Sequence, residues 1–265
     1  MVDKTYFQQL KIAQANSHKG QNGRLLLIGG STLFHAASLW SLTVASRIVD
    51  LVHYASVPDN NDIVRQAKEE FRNGMVIRRE NIHAYIQEDD CILIGPGMDR
   101  TEETQELTKF LLKKYPQKQW VIDAGALQMI DVSHIPHHAI LTPHHQEFNL
   151  LLKKTDHIQT PEQFANAYHC IVLLKGQIDI VTDGTCTEHV SGGNAGMTKG
   201  GTGDVLAGLV AALACTNDPF ASAVCGSIIN KQAGDDLFIA VGPFFNATDL
   251  ADQIPQTMKR LLVDS

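Results

Sequence analysis

The sequence predicts an α/β fold in which helices cover both faces of a mostly parallel central sheet. Short runs rich in Val, Ile and Leu recur along the chain, and several of them end in Gly, Pro or Asp. Segments of helical length separate these runs. Unbroken apolar strands that alternate with helices are typical of a parallel sheet buried on both faces.

The predicted elements follow in chain order. Strands are predicted at residues 24–30, 51–57, 91–97, 120–125, 139–144 and 171–176. Between them, helices are predicted at residues 33–49, 101–114 and 160–169. Residues 177–190 alternate in polarity around Asp183-Gly184, which predicts a small β-hairpin and therefore a mixed sheet.

After residue 200 the pattern is helical. Helices are predicted at residues 204–215, 219–238 and 248–262. Pro255 falls inside the last of these, so we expect a bend or a new helix to begin there. No linker, repeat or low-complexity segment divides the chain, and we therefore expect a single domain over residues 1–265.

The composition restricts the possible function classes. With 44% hydrophobic and 19% charged residues, the chain has the composition of a globular protein. A net charge of -7 and a pI near 5.9 argue against a nucleic-acid-binding surface. The sequence shows no targeting or membrane segment. The five scattered cysteines argue against a disulfide framework and a zinc site, and they fit a reducing cytoplasm.

The stretch "GGTGDVLAG" at residues 200–208 is the strongest functional signal. The segment that follows is apolar around its whole circumference, which predicts a helix buried on all sides. The amides of residues 201–204 have no partner within such a helix, and glycines let a ligand approach closely, so we expect an anion-binding site suited to phosphate. No P-loop motif occurs, and the G-x-G-x-x-G dinucleotide fingerprint fails at Leu206.

Asp204 lies at the end of this glycine run. A carboxylate beside a bound phosphate would repel it, unless the carboxylate takes a proton from a hydroxyl that attacks the phosphorus. The sequence therefore predicts that Asp204 is a general base. The alternative is that Asp204 only stabilises the helix start as an N-cap or first-turn acid.

Several motifs occur in a fixed order along the chain. They are "HKGQNGRLLLIGGS" (18–31), "GPG" (95–97), "DAGAL" (123–127), "LTPHHQEF" (141–148), "LLKG" (173–176) and "GGTGDVLAG" (200–208). Together they resemble the ADP-dependent NAD(P)H-hydrate dehydratases of the ribokinase-like superfamily. The resemblance implies a ribokinase-like three-layer sandwich. It also implies that the epimerase domain carried by many bacterial relatives is absent, since "HKG" begins at residue 18.

The resemblance implies a repair reaction. In this family, ADP phosphorylates the C6 hydroxyl of hydrated NADH or NADPH in its S form, and phosphate then leaves, which restores NAD(P)H and releases AMP. We therefore expect hydrated NAD(P)H and ADP, or ATP, as substrates, with Mg²⁺ as cofactor; Thr202 within the loop favours ADP. The resemblance also implies a cytoplasmic homotetramer and a separate epimerase acting on the same substrate.

The resemblance assigns site residues position by position. It places the hydrated cofactor against Ala37, Gly97, His144 and Asp204. It places the adenine nucleotide against Lys175, Gly176, Gln177, Ile178, Asp179, Gly201, Thr202 and Gly203. His144 and Glu147 stand where the superfamily has an Asn-x-x-Glu motif, which assigns Glu147 to Mg²⁺ through water.

Alternatives remain open for individual residues. Lys175 could be a solvated lysine after a strand, His144 a loop histidine, and Gly97 only a turn residue. The chain also departs from the family pattern at Ser38, Asp99, Gly125 and Lys199. We expect Lys199, where a small residue is usual, to bind a phosphate and to offset the charge of Asp99.

Two other functions remain open at this point. A small-molecule kinase of the same superfamily, such as a vitamin-precursor kinase, would release a stable phosphorylated product. A non-catalytic nucleotide-binding protein of the same fold would bind without turnover.

Overall fold

The computed structural model describes residues 5–264. Residues 1–4, where the amino-terminal segment without a targeting signal begins, lie outside the described residues. The strands are β1 (Arg24–Ile28), β2 (Leu51–Ala55), β3 (Met75–Ile77), β4 (Cys91–Ile94), β5 (Gln119–Ile122), β6 (Ile140–Leu141), β7 (Ile171–Leu174), β8 (Asp179–Thr182) and β9 (Thr187–Val190). Within the described residues they form one nine-stranded sheet in the order β3-β2-β1-β4-β5-β6-β7-β8-β9.

The sheet is parallel except at one edge. All neighbours from β3 to β7 pair parallel. Strands β8 and β9 add an antiparallel hairpin, which confirms the predicted hairpin and the mixed sheet. The helices are α1 (Thr5–Gln9), α2 (His35–Ala45), α3 (Pro58–Gln66), α4 (Ile82–Glu88), α5 (Glu102–Lys114), α6 (Ala124–Met129), α7 (His145–Leu152), α8 (Pro161–Tyr168), α9 (Thr202–Ala214), α10 (Pro219–Val241) and α11 (Ala247–Leu262).

Helices cover both faces of the sheet, as predicted. Along β1, Leu26 and Ile28 join the core on one face, whereas Leu25 and Leu27 join the core on the other. Helices α5 to α8 contribute to the first core, and α2, α9 and α10 contribute to the second. A third cluster binds α11 to the outer side of α9 and α10. This two-sided burial explains the unbroken apolar runs of the central strands.

Helix α9 is buried on all sides, as its sequence predicts. Residues 205–214 are all buried. Gly208 permits close packing against α2, because a Cβ at this position would lie 2.6 Å from the Cα atom of Ser41. The first turn of α9 is therefore fixed by a helix that cannot shift without opening the core.

The carboxyl-terminal helix differs from the prediction. We expected Pro255 to mark a bend or a new helix, but α11 continues through it. Proline has no N–H to offer the carbonyl four residues before it, that of Ala251. The guanidinium of Arg47 supplies the missing donor at 2.5 Å from that carbonyl. A contact from Arg47, in the turn that follows α2, thus compensates the interruption that the local sequence predicts.

Candidate active site

The predicted site residues lie at the edge of the sheet where the parallel strands end. Gly97 follows β4, His144 follows β6 and Lys175 follows β7. Ala37 lies in the first turn of α2, which follows β1, and Asp204 lies in the first turn of α9. In open parallel sheets, ligands bind outside the carboxyl ends of the strands. The fold therefore gathers residues from distant parts of the sequence at one edge.

The first turn of α9 has no capping side chain at its N-cap position, and the Asp204 carboxylate accepts a hydrogen bond from its own amide. Its N-cap residue is Gly201, whose φ of 97° is a left-handed conformation that favours glycine. A Cβ at Gly201 would also lie 2.3 Å from the ring of Trp40. Packing thus demands this glycine, independently of a ligand. The Thr202 hydroxyl donates to the carbonyl of Met197 at 2.7 Å and supports the turn from within.

The pKa of Asp204 is raised to about 7. Burial is the largest cause, followed by the negative charge of Asp123; Lys175 opposes the rise and Glu147 adds to it. The Ser41 hydroxyl donates to the backbone carbonyl of Asp204 at 2.7 Å and fixes the turn that carries the carboxyl. A carboxyl with a pKa near neutrality is suited to accept a proton from an alcohol.

Lys175 is a paired, mostly buried lysine. Its side chain is 18% exposed, and its ammonium lies 3.0 Å from Oδ1 of Asp123. Burial lowers the pKa of Lys175, but the charges of Asp123, Glu147 and Asp204 outweigh burial and raise it overall. The alternative of a solvated strand-end lysine is therefore wrong. Its positive charge remains available beside the first turn of α9, since a Cβ at Gly203 would lie 3.3 Å from the ammonium nitrogen.

A cleft of about 610 Å³ opens next to this lysine. Its wall includes His144, Lys175, Gly176, Gln177, Asp179, Thr202 and Gly203, all of which the sequence assigned to ligands. Clefts of this size commonly hold small-molecule ligands. The Ile178 side chain is 53% exposed, and neither it nor Gly201 belongs to the cleft wall. Their predicted contacts with the nucleotide therefore stay predictions.

Asp179 shapes the wall from inside. Its carboxylate accepts hydrogen bonds from the amide of Gly176 at 2.9 Å and from the hydroxyl of Ser227 at 2.7 Å. It also lies 3.2 Å from the ammonium of Lys231, which donates to the carbonyls of Gly176 and Gln177. The carboxylate is thus occupied by protein groups, and it fixes the loop that follows β7.

Residues 25–256 match the protein-family profile described as NAD(P)H-hydrate dehydratase. The chain belongs to this family. It is similar to the bifunctional NAD(P)H-hydrate repair enzyme Nnr of Methanocaldococcus jannaschii, with 36% identity over 259 residues that cover 94% of this chain and 51% of that protein. It is also similar to the ADP-dependent (S)-NAD(P)H-hydrate dehydratase of Nitrosopumilus maritimus, with 32% identity and coverage of 93% and 92%. The chain spans about half the length of the bifunctional relatives.

Solved structures share the fold. A ribokinase-like superfamily protein from Enterococcus faecalis superposes with a TM-score of 0.84 at 23% identity, covering 98% of this chain and 95% of that one. An ADP/ATP-dependent NAD(P)H-hydrate dehydratase from Bacillus subtilis, co-crystallised with ATP and Mg²⁺, gives 0.81 at 24% identity, with coverage of 98% and 97%. The predicted ribokinase-like α/β fold is confirmed.

Ala37 and Gly97, which the family resemblance assigns to the hydrated cofactor, are neighbours in space. A Cβ at Gly97 would lie 3.0 Å from the Cβ of Ala37 and 2.7 Å from the carbonyl oxygen of Phe34. Neither belongs to the wall of the 610 Å³ cleft. Ala37 precedes Ser41 by one turn of α2, and Ser41 contacts the backbone of Asp204. Asp204 does not line that cleft either, so the predicted contacts of these three residues with the hydrated cofactor stay predictions.

His144 and Glu147 form a capping box at the start of α7. Nδ1 of His144 accepts from the amides of Gln146 and Glu147, at 3.1 and 3.2 Å. The Glu147 carboxylate accepts from the amide of His144 and from the side chain of Gln128, both at 2.9 Å. The proton of a neutral His144 ring therefore lies on Nε2, and the half-exposed ring lines the cleft.

The capping box limits what Glu147 can do for a metal. Both of its carboxylate oxygens already accept hydrogen bonds, and its side chain is 5% exposed. Within residues 5–264, no group of three or more His, Cys, Asp or Glu residues could hold a metal ion. Mg²⁺ commonly keeps several waters and binds through substrate phosphates. The residues present fit Mg²⁺ that is carried by a nucleotide rather than a preformed protein cage.

The family departures have structural explanations. The Lys199 ammonium donates to the carbonyls of Pro243 and Phe245, and its predicted contact with a phosphate stays a prediction. A Cβ at Gly125 would lie 2.1 Å from the carbonyl oxygen of Met98, so no second acid fits there. The Ser38 hydroxyl joins a buried hydrogen bond of 2.7 Å with Tyr54.

Sequence reasoning missed several residues around the cleft. Asp123 lies within the "DAGAL" motif directly after β5, and an acid in that place is a signal that could have been used. Lys231 and Asn230 lie on α10, far along the chain, and no sequence pattern marks them. The amide oxygen of Asn230 is buried without a hydrogen-bond partner among residues 5–264.

Proposed function

We propose that this chain dehydrates the S form of hydrated NADH or NADPH and restores NAD(P)H. In this reaction ADP is converted to AMP and phosphate, or ATP takes the place of ADP. Membership of the NAD(P)H-hydrate dehydratase family supports this function. The relative from Nitrosopumilus maritimus, which matches over nearly its whole length, bears the name of that activity with ADP. The substrates, the nucleotide preference and the site residues of this chain are part of the proposal.

One observation carries the proposal. Asp204 has a pKa raised to about 7 and lies in the first turn of α9, beside the ammonium of Lys175. This carboxyl can therefore lose or gain a proton near neutral pH, and it lies in a turn whose N-cap residue has no side chain to cap the amides. A base and an anion-binding turn are thus adjacent, which is what phosphoryl transfer to an alcohol requires.

In the proposed first step, Asp204 accepts the proton of the C6 hydroxyl. At the same time, the oxygen of that hydroxyl attacks the terminal phosphorus of ADP. The P–O bond to AMP breaks, and the amides of residues 201–203 stabilise the charge on the transferred phosphoryl. Lys175 adds a positive charge on the same side. Hydroxide is a poor leaving group and phosphate is a good one, so this step prepares the elimination.

In the second step, the lone pair of the ring nitrogen expels phosphate from C6. Loss of a proton from the neighbouring ring carbon then restores the dihydronicotinamide. We assign Ala37, Gly97 and His144 to the hydrated cofactor, and the segment 175–179 with Gly203 to the nucleotide. Mg²⁺ bound to the nucleotide phosphates would supply charge neutralisation.

Other parts of the proposal follow from the family. We assign the chain a single domain, a place in the cytoplasm and a homotetrameric assembly. We also assign an epimerase, which would interconvert the two forms of the hydrate, to the same repair pathway. The description of relatives as bifunctional repair enzymes supports a link between the two activities. No helix within residues 5–264 is long and apolar enough to cross a membrane.

One assay tests the function. Purified protein is incubated with hydrated NADH and either ADP or ATP, and the recovery of NADH absorbance is followed. We expect recovery that requires nucleotide and equals the AMP formed from ADP. A stable phosphorylated hydrate without recovery would instead support a kinase, and nucleotide binding without either product would support a non-catalytic protein.

A further inference from the structure

Asp123 stands at a helix start without capping it. It occupies the N-cap position of α6, where an aspartate ordinarily accepts hydrogen bonds from first-turn amides. Its carboxylate makes no such bond. Oδ1 instead accepts from the Thr142 hydroxyl at 2.7 Å and from the Lys175 ammonium at 3.0 Å. The buried carboxylate thus binds the Lys175 ammonium of the site and does not cap α6.

Two unusual backbone positions hold Asp123 in this orientation. The next residue, Ala124, has a φ of 43°, in the left-handed region that residues other than glycine seldom adopt. On the adjacent strand, a Cβ at Gly95 would lie 1.8 Å from the carbonyl oxygen of Asp123, so only glycine permits this approach. Strained conformations of this kind cluster at functional sites.

Besides Asp123, two other acids act on the Lys175 ammonium, namely Glu147 and Asp204. The ammonium is 3.3 Å from the place of a Cβ at Gly203, at the first turn of α9, and Asp204 acts on its pKa. With Asp123 neutral, the acids that still act on the ammonium are Glu147 and, in the first turn of α9, Asp204. A direct ion pair with Lys175 would stabilise the Asp204 carboxylate and weaken it as a base.

We propose that Asp123 is a positioning residue: it holds the Lys175 ammonium beside the first turn of α9 and keeps it from a direct ion pair with Asp204. This inference rests on the proposed function, because it assigns Asp123 a part in proton transfer to Asp204. The groups that face Asp204 are Asp123, Lys175 and Glu147. After burial, the charge of Asp123 is the main cause that raises the pKa of Asp204, and Lys175 lowers it.

Two variants give a signed test. Asp123→Asn removes the charge and keeps the shape, so we expect the acid limb of the kcat/KM profile to move down by about one pH unit or more, with a lower kcat at alkaline pH. Lys175→Met removes the opposing charge, so we expect the limb to move up. A purely structural role would change activity without these opposite displacements.

Matched controls isolate the charge. Thr142→Val removes the hydrogen bond from the Thr142 hydroxyl to Oδ1 of Asp123. It should leave the midpoint of the acid limb of the kcat/KM profile unchanged. Asp179→Asn disrupts the comparable buried pair with Lys231, which does not face Asp204, and should raise the nucleotide KM at an unchanged midpoint. Carbon NMR titration of the Asp204 carboxyl, in full-length protein without substrate, gives the same answer for variants of low activity.

The outcomes separate the two hypotheses. Equal midpoints in wild type, Asp123→Asn and Lys175→Met, or displacements in one direction, would overturn the role of Asp123. A wild-type protein that fails to regenerate NADH, while its Asp204 titrates and responds as stated, would refute the proposed function instead. Circular dichroism identifies a variant that does not fold, in which case the other variant decides the sign.

Discussion

The starts of α7 and α9 are built alike and are used in opposite ways. Each helix carries an acid as its third residue, Glu147 in α7 and Asp204 in α9. In α7 the acid returns to the amide of His144, and His144 caps the first turn in exchange. In α9 the N-cap is Gly201, which has no side chain to cap the turn, and the Asp204 carboxylate accepts only from its own amide there.

The difference shows which helix start uses its own side chains to satisfy its first-turn amides and which does not. The first turn of α7 is satisfied by its own side chains, as a helix end that serves stability should be. The first turn of α9 is held rigidly from behind by Ser41 and by a buried helix, yet its N-cap residue, Gly201, supplies no capping side chain. Rigid support combined with open donors is the arrangement expected of an anion site.

The largest expected effect concerns the base at α9. Asp204→Asn should lower kcat by about 10²–10⁴-fold, because the amide cannot accept the proton of the hydroxyl. Nucleotide affinity, measured by calorimetry, should fall little. Glu147→Gln is the matched substitution at α7, and we expect its effect on kcat to be far smaller. Comparable losses in both variants would contradict the contrast between the two helix starts.

The same substitution should change stability in a pH-dependent way. Unfolded Asp204 ionises near pH 4, whereas the folded carboxyl keeps its proton until about pH 7. The free energy of unfolding therefore falls as pH rises from about 4 to about 7. Above about pH 7 the loss is complete and stays constant. At about 1.4 kcal/mol per tenfold change in proton affinity, this cost is about 4 kcal/mol.

We therefore expect Asp204→Asn to raise the free energy of unfolding at pH 8 by up to about 4 kcal/mol and to change it little near pH 4. Urea unfolding at the two pH values measures the difference. A gain of equal size at both would show that packing, not the buried charge, is responsible.

The next effect tests the open amides. Gly203→Ala places a Cβ 3.3 Å from the Lys175 ammonium, beside the first turn of α9, and we expect about 100-fold lower kcat through displaced donors. Gly200→Ala is the control, because a Cβ there meets no atom within 4 Å. Steady-state kinetics compare the two. Equal activity of both variants would argue against phosphoryl contact at this turn.

The smallest effect concerns α7. His144→Ala should lower the free energy of unfolding by about 1 kcal/mol through loss of the cap. Asparagine is a good N-cap residue, so His144→Asn should retain stability while it removes the imidazole. If His144 contacts the hydrated cofactor, KM for the hydrate rises in both variants. An unchanged KM in both would restrict His144 to the helix start.

The sequence predicts the central sheet well because buried parallel strands read as continuous apolar runs. The short β3 and the short helices α1, α3, α4, α6 and α7 carry too few residues for a clear periodic pattern, and they were missed. The continuous α11 was missed because its Pro255 is compensated by Arg47, some 200 residues earlier. Long-range contacts of this kind are absent from local propensity.

The residues of the candidate site also fall into two groups, those that local sequence can reveal and those that depend on contacts with distant residues. Asp204 and the loop before it could be found from local chemistry, since Gly-Gly-Thr-Gly-Asp before a buried helix has few other uses. Asp123 acquires its meaning only through Lys175, which lies far away in sequence. The structural contact of Lys199 depends on a loop after α10 that the sequence does not connect to it.

Lys231 links the cleft to the order in which the chain is synthesised. Its ammonium ties together the carbonyls of Gly176, Gln177 and Gly192, all of which leave the ribosome well before α10 does. A nascent chain that already contains Asp204 thus lacks the clamp that joins these two loops. A ligand of the cleft that is added during translation would then gain its full binding surface only when α10 docks, which makes ligand capture a reporter of a late stage of folding.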